Sequence, residues 1–254
     1  MSWVSSTIQT LMTTMAKFIK HTSCDHCGSS DALALYDDGG QHCFSCGYTI
    51  RPNVSPYVTA AMQRDEDDES IIVPNDIGFE YDRAVLDWVS RYDMDATDLI
   101  AHKVYWSKSK QQLIFMYPKI KGNGIGCLQA RNFKFNAKTK YHNQGNAKNV
   151  LPIYSSVAKE NVLVITEDAI SAIKVSHFYD SMPLLGSYLP LPKITAIKEL
   201  LYNEIILWLD HDKYSNALTI AQQFQWIGIK AKVVCTPLDP KEYTIPFIKD
   251  KLMW

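Results

Sequence analysis

Two cysteine pairs near the N-terminus constrain this chain more than any other feature of it. Cys24-x2-Cys27 and Cys43-x2-Cys46 lie fifteen residues apart, and Gly28 and Gly47 directly follow the second cysteine of each pair. Each pair can sit on a tight knuckle. Two knuckles joined by a hairpin bring four thiolates into a tetrahedron, the closed geometry of structural zinc. A segment this short lacks the apolar surface to fold alone, so the metal would supply much of its stability. An iron–sulfur cluster, or four reduced and unligated cysteines, are the alternatives that the residues leave open. His26 and His42 adjoin the pairs. With four thiolates already satisfying the metal, they read as surface or nucleic-acid-contacting groups. A ribbon of this kind does not by itself specify function, since ribbons bind DNA, RNA or protein.

The other two cysteines, Cys127 and Cys235, stand apart in apolar company and read as buried small hydrophobes. Clustered cysteines without a secretory segment suit a metal site in a reducing compartment rather than disulfides. Residues 1–22 are interrupted by Ser5, Ser6, Thr7, Gln9, Thr10, Thr13 and Thr14, which leaves no clean apolar region and reads as an N-terminal arm. No apolar run approaches the ~20 residues that span a bilayer, so no membrane partner is expected. At 254 residues and 46 % apolar content, the chain has room for one medium domain with a sizeable core plus one small domain.

A net charge of −1 hides a segregated chain. Residues 65–98 carry twelve acids, among them Asp65 to Glu69, against two arginines, whereas residues 101–150 carry ten Lys/Arg and no acid. The chain is expected to divide into an arm (1–22), a ribbon (23–50), a linker containing Pro52 and Pro56 (51–70), a basic α+β subdomain (71–157) and an α/β domain (158–254). In the basic part, residues 80–102 read as a helix. Two strands at 113–117 and 125–133 are joined by a turn at Gly122-Asn123-Gly124. Gly122-x-Gly124-x-Gly126 is a hairpin turn and not a nucleotide loop, because no helix follows it. From residue 161 strands and helices alternate: strands at 162–166, about 184–185, 204–209 and 231–235, and helices at 169–178, 193–202 and 215–227. That alternation implies a mostly parallel, doubly wound sheet.

The chemistry concentrates at the ends of those strands. Glu167 directly follows the strand 162–166, and Asp210 and Asp212 follow 204–209. Functional groups collect at the carboxyl ends of strands in such sheets. In extended chain, residues i and i+2 point the same way, which would aim Asp210 and Asp212 into one pocket. Asp239, in Asp239-Pro240-Lys241-Glu242, follows the last strand. Gathered carboxylates repel one another unless a divalent cation sits among them, and hard oxygen ligands favour Mg2+ or Mn2+. A lone acid after a strand is usually a helix cap or a solvated turn, and Asp168 reads as such a cap.

Taken together, Glu167 with its helix, Gly186, Asp210-His211-Asp212 and Asp239-Pro240-Lys241-Glu242 resemble a Toprim domain. This is the catalytic module of bacterial-type primases, of type IA and II topoisomerases and of some nucleases. The run Cys24-Asp25-His26-Cys27-Gly28-Ser29-Ser30-Asp31 resembles the zinc domain of phage primase–helicases, and the order of parts matches the primase arrangement over roughly residues 18–245. The resemblance implies that Glu167 assists the general-base step or metal binding, while Asp210, Asp212 and Asp239 hold Mg2+ or Mn2+. A ribonucleotide 3′-hydroxyl would then attack the α-phosphate of an incoming nucleotide. No Gly-x4-Gly-Lys-Ser/Thr loop is present, so a separate replicative helicase is the expected partner, with single-stranded DNA template and ribonucleoside triphosphates. The family's template-reading histidine lies a few residues before the third cysteine, where this chain reads Gly40-Gln41-His42. A phage-encoded protein working in a bacterial host cytoplasm is the setting that the resemblance suggests.

The basic segment interleaves Lys119, Lys121, Arg131, Lys134 and Lys140 with Tyr105, Trp106, Phe133, Phe135 and Tyr141. Cations neutralise phosphates and aromatic rings stack on bases; the alternative is a solvated basic surface with its aromatics in the core. In the family this subdomain faces the catalytic site across a cleft, which makes Arg131 and Lys140 the first candidates for phosphate contacts. The expected function is DNA primase activity. A metal-dependent Toprim nuclease and a non-catalytic DNA-binding or recombination adaptor are the rivals, and a topoisomerase lacks a domain to supply its tyrosine.

Overall fold

The computed structural model describes residues 17–37, 39–50, 70–157 and 161–252. The linker reading at 51–70 falls, apart from Ser70, outside these residues, as does the arm up to residue 16. The chain forms two compact units, residues 1–64 and 65–254.

In the first unit β1 (Phe18–Thr22), β2 (Leu33–Tyr36), β3 (Gln41–Cys43) and β4 (Thr49–Ile50) form an antiparallel meander. The ribbon sheet thus begins inside the stretch read as an arm, because Lys20 to Thr22 pair with Leu35 to Leu33. Each cysteine pair closes its knuckle with a backbone bond, Gly28 N to Cys24 O at 2.8 Å and Gly47 N to Cys43 O at 2.9 Å. Both glycines take positive φ, 72° and 73°, a conformation that costs a residue with a Cβ.

The second unit joins two sheets. An antiparallel sheet runs β5 (Ile77–Gly78), β6 (Tyr105–Ser107), β7 (Gln112–Pro118), β8 (Ile125–Asn132) and β9 (Tyr141–Gly145) in order. The expected hairpin is present, with Gly122 and Gly124 at φ 85° and 99°. The single helix expected over 80–102 is two, α1 (Arg83–Ser90) and α2 (Ala96–Ala101). Asp93 turns left-handed between them at φ 53°. Asp95 then starts α2 with a reciprocal capping box to Asp98, which satisfies backbone donors at the helix start.

The parallel sheet has the order β11-β10-β12-β13, from β10 (Val162–Thr166), β11 (Asp180–Pro183), β12 (Glu204–Trp208) and β13 (Lys230–Val233). α3 (Ala169–Val175), α4 (Leu191–Glu199), α5 (Tyr214–Trp226) and α6 (Ile245–Leu252) complete it. Strand alternation assigns the layers. Leu163, Ile165, Ile205 and Leu207 pack with residues of α4 and α5, whereas Val164, Ile206 and Trp208 pack with Val175 of α3 and Ile248 and Leu252 of α6. β11 lies a few residues before the expected strand at 184–185. Its own sequence, Asp-Ser-Met-Pro, is a poor strand former, and parallel pairing with β10 places it.

Every residue of α3 is buried. Val175 faces the parallel sheet, while Ala169, Ile170, Ala172 and Ile173 join Val85, Trp88, Leu99 and Phe115 in the core under the antiparallel sheet. Since β10 sits at the middle of the crossover pattern, with β11 on one side and β12 on the other, the crevice for a ligand is at its carboxyl end.

Candidate active site

The ribbon brings its four thiols together. Cys24 Sγ lies 3.9 Å from Cys46 Sγ and Cys27 Sγ 3.7 Å from Cys43 Sγ, and all four fall within 4.8 Å of one another. A tetrahedron with 2.3 Å metal–sulfur bonds has edges of about 3.8 Å, so the cluster has the dimensions of a four-thiolate metal site. Desolvation pushes the Cys43 thiol up, but the N–H groups of Cys46 and Ser45 with the Cys24 and Cys46 thiols more than offset it and hold the group at about 7. His42 is no member of the cluster; its Nδ1 pairs with Thr49 Oγ1 at 2.9 Å. Beside it, Phe44 is 64 % exposed and its ring touches those of both His42 and His21.

In the second unit, carboxylates converge at the carboxyl ends of β10 and β12 and in the loop after β13. The oxygens of Asp168, Asp210 and Asp239 lie within 4.8 Å of one another. Asp210 and Asp239 are therefore brought together as the sequence suggested. Asp168 caps α3, accepting from Ile170 N and Ser171 N, and also belongs to the acidic group. Glu167 stands next to it. Burial raises the Glu167 carboxyl; Lys213 opposes this, while Asp212, Asp168 and Asp239 add to it. Asp210 is pushed up to about 7, chiefly by desolvation and then by Glu167 and Asp239. Glu167 Oε2 and Asp210 Oδ1 are buried without a hydrogen-bond partner. Two buried, orphaned acceptors from mutually repelling acids are an environment that a hard divalent cation satisfies.

Asp212 lies outside the cluster of Asp168, Asp210 and Asp239, though its charge acts on Glu167. The chain turns through a 3-10 segment at His211–Lys213, so the extended geometry assumed for residues i and i+2 does not apply. The Asp212 side chain is 71 % exposed and pairs with Lys213 Nζ at 2.8 Å. A cation that the sequence reading did not place stands among the acids instead: Lys241 Nζ is 2.8 Å from Asp168 Oδ2 and 2.5 Å from Asp239 Oδ2. Its signal in the sequence was only its position two residues after Asp239.

The basic residues divide. Lys121, Lys134 and Lys140 are exposed and Lys119 is half-buried. Arg131 is engaged within the fold. Its guanidinium lies 3.9 Å from the centroid of Trp88, near Phe133 and Tyr141, and Nη1 donates to Tyr141 Oη at 3.0 Å. Trp106 is buried and Phe133 packs on the core, whereas Phe135 is 95 % exposed. Most of the interleaved aromatics therefore belong to the core. Burial raises the Tyr141 hydroxyl above its usual range, with Arg131 opposing this and the charge of Asp168 adding to it. An Arg131→Lys variant keeps the charge but loses the planar stack. Its melting temperature is expected to fall by a few degrees, about 1–2 kcal/mol, by calorimetry. Of the two remaining cysteines, Cys127 is buried as expected, but Cys235 is exposed, 3.7 Å from His211 Nδ1 at the mouth of the sheet.

A cleft of about 520 Å³ opens at the same end of the sheet, lined by Asn146, Lys148, Leu185, Gly186 and Lys193 among others. Leu185 holds a left-handed φ of 57° there, and such strain tends to gather at ligand sites. Burial pushes the Lys193 ammonium down to about 8, and its Nζ donates to Leu184 O at 3.1 Å.

The second unit, an antiparallel sheet packed on a parallel α/β sheet with acids at its strand ends, and the separate four-cysteine ribbon have the fold seen in phage and bacterial primase structures. Among solved structures, the chain is similar to the primase fragment of the bacteriophage T7 primase-helicase protein, with TM-score 0.50 and 16 % identity, covering 93 % of this chain and 98 % of that one. It is also similar to the Aquifex aeolicus primase (zinc-binding and RNA polymerase domains), with TM-score 0.53 and 13 % identity, covering 93 % and 79 %. No family model and no curated protein matches the sequence. Among the described residues, no helix is long and apolar enough to cross a membrane.

Proposed function

We propose that the chain is a DNA primase that makes short RNA primers on single-stranded template, with its catalytic α/β part in the Toprim class. The observation that carries this reading is the pair of buried, unpartnered oxygens on Glu167 and Asp210, set at the carboxyl ends of β10 and β12 in a primase fold. Mg2+ or Mn2+ held there would supply the positive charge that offsets the charge developing on the attacking and leaving oxygens. The 3′-oxygen of one ribonucleotide forms a bond to the α-phosphorus of the next. The bond from that phosphorus to the β-phosphate bridge breaks, and pyrophosphate leaves. Glu167, whose carboxyl is raised by burial, accepts the proton of the attacking hydroxyl. The exposed Lys121, Lys134 and Lys140 neutralise template or nucleotide phosphates, and the cleft beside Gly186 admits the nucleotide. In the ribbon, a zinc ion held by Cys24, Cys27, Cys43 and Cys46 keeps His42, His21 and Phe44 displayed for stacking on template bases. Asp212 belongs in this proposal to the outer rim of the site.

Incorporation of labelled ribonucleotides on a pool of single-stranded DNA templates tests the reading. Short template-dependent oligoribonucleotides are the expected product. Metal-dependent cleavage of the DNA with no synthesis would replace the primase by a nuclease built on the same acids. DNA binding with neither activity would leave an adaptor.

A further inference from the structure

The strand-end acids fall into two kinds according to how their oxygens are satisfied. Asp168 has no acceptor to spare: Oδ1 takes Ile170 N at 2.9 Å and Ser171 N at 3.1 Å, and Oδ2 takes Ser171 Oγ at 3.0 Å and Lys241 Nζ at 2.8 Å. Asp239 gives Oδ2 to the same ammonium at 2.5 Å. Glu167 Oε2 and Asp210 Oδ1, by contrast, are buried and accept nothing. Lys241 thus offsets one of the two charges on Asp168 and Asp239 by direct ion pairs, whereas no cation makes a hydrogen bond to the orphaned oxygens of Glu167 and Asp210.

The backbone of the Lys241 loop is held independently of this ion pair. Lys174, from the buried helix α3, donates through Nζ to Lys241 O at 3.0 Å and Tyr243 O at 2.5 Å. Pro240 is buried, and Glu242 N bonds Asp239 O at 2.9 Å. The ammonium is consequently a side chain delivered by a pre-set loop, and it can be removed without removing the loop.

The geometry points to Lys241 as a tethered cation that takes the place of one divalent ion at Asp168 and Asp239, so that the site accepts a single exchangeable divalent ion, at Glu167 and Asp210. This inference rests on the metal-site reading proposed above. An ammonium and a divalent ion answer the same carboxylate repulsion, but the ammonium cannot dissociate. A second ion arriving at Asp239 would have to displace it, against both its ion pairs and its like charge. Lys241 is in this sense a positioning residue: it holds Asp168 and Asp239 together and limits how many metal ions the site takes.

The test counts metal rather than turnover. Mn2+ is titrated into the full chain, with its zinc in place, and free Mn2+ is read by electron paramagnetic resonance for wild type, Lys241→Met, Lys241→Arg and Asp210→Asn. Wild type and Lys241→Arg are expected to bind one Mn2+. Lys241→Met is expected to bind a second, and to bind the first about tenfold more tightly, as loss of a neighbouring like charge implies. Asp210→Asn should lose the wild-type ion. Circular dichroism of Lys241→Met shows whether the fold is kept; Lys241→Gln, uncharged but still able to donate a hydrogen bond, is expected to take up the second ion in the same way and decides if the Met variant unfolds. Two ions in wild type, or the same count and affinity in Lys241→Met, would overturn the role of Lys241 and leave the metal site standing. No Mn2+ bound by any variant would overturn both.

Discussion

Asp210→Asn should abolish nucleotide incorporation, by roughly a hundredfold to a thousandfold or more, while making the protein without divalent ion more stable. The two effects have one cause. The Asp210 carboxyl is pushed from 3.8 to about 7 by desolvation and by Glu167 and Asp239. Between those values the folded chain holds a proton that the unfolded chain has released. Stability therefore falls as pH rises through that window, and the full penalty is present above about pH 7. An amide carries no charge and escapes it. Solvent screening reduces the gain, because the group is only half-buried, to about 1–2 kcal/mol or a few degrees in melting temperature. Thermal melts at pH 5 and pH 8 check the sign. The variant should gain at pH 8 and little at pH 5, and added Mg2+ should stabilise wild type but not the variant. Equal melting of the two at pH 8 would show that the site carries no such strain.

Removing zinc should unfold the ribbon and leave the larger unit intact. The buried cluster of the ribbon is Cys24, Leu33 and Cys43, with Ala32 and Leu35 against them. Two of its three buried members belong to the thiol cluster that would hold the metal, so little apolar core would be left to hold β1 to β4 without it. In small zinc sites the metal contributes on the order of 10 kcal/mol of folding free energy. Chelation, or Cys46→Ser, should collapse the amide dispersion of residues 17–50 in a nitrogen–proton correlation spectrum, with the signals of residues 70–252 unchanged. Template-dependent start-site choice should be lost with it. A ribbon that keeps its dispersion without metal would contradict the thiol geometry.

The parts of this molecule that were legible in the sequence are those governed by short-range rules. Two Cys-x2-Cys-Gly knuckles, an Asn-Gly hairpin and apolar strands ending in acids each carry their geometry within a few residues. The misplacements arise where distant segments decide. Asp212 was expected to face the site because residues i and i+2 align in extended chain, but the chain coils at His211. Asp168 was read as a helix cap, and it is one, yet capping uses mainly one of its oxygens and the loop of Lys241 claims the other. The stacking of Arg131 on Trp88, some forty residues earlier in the chain, has no local signal in the sequence. β9 went unread because Tyr-His-Asn-Gln-Gly has little strand character without β8 beside it.

The burial of α3 on all sides has a consequence for how the larger unit can be taken apart. The helix supplies side chains to the cores of both sheets, so the boundary drawn from the sequence at 157/158 does not separate two autonomous folding units. A cut there would leave Trp88, Leu99 and Phe115 facing water on one piece and Ala169, Ile170 and Ile173 on the other. Residues 70–252 should accordingly gain and lose their order in one cooperative transition.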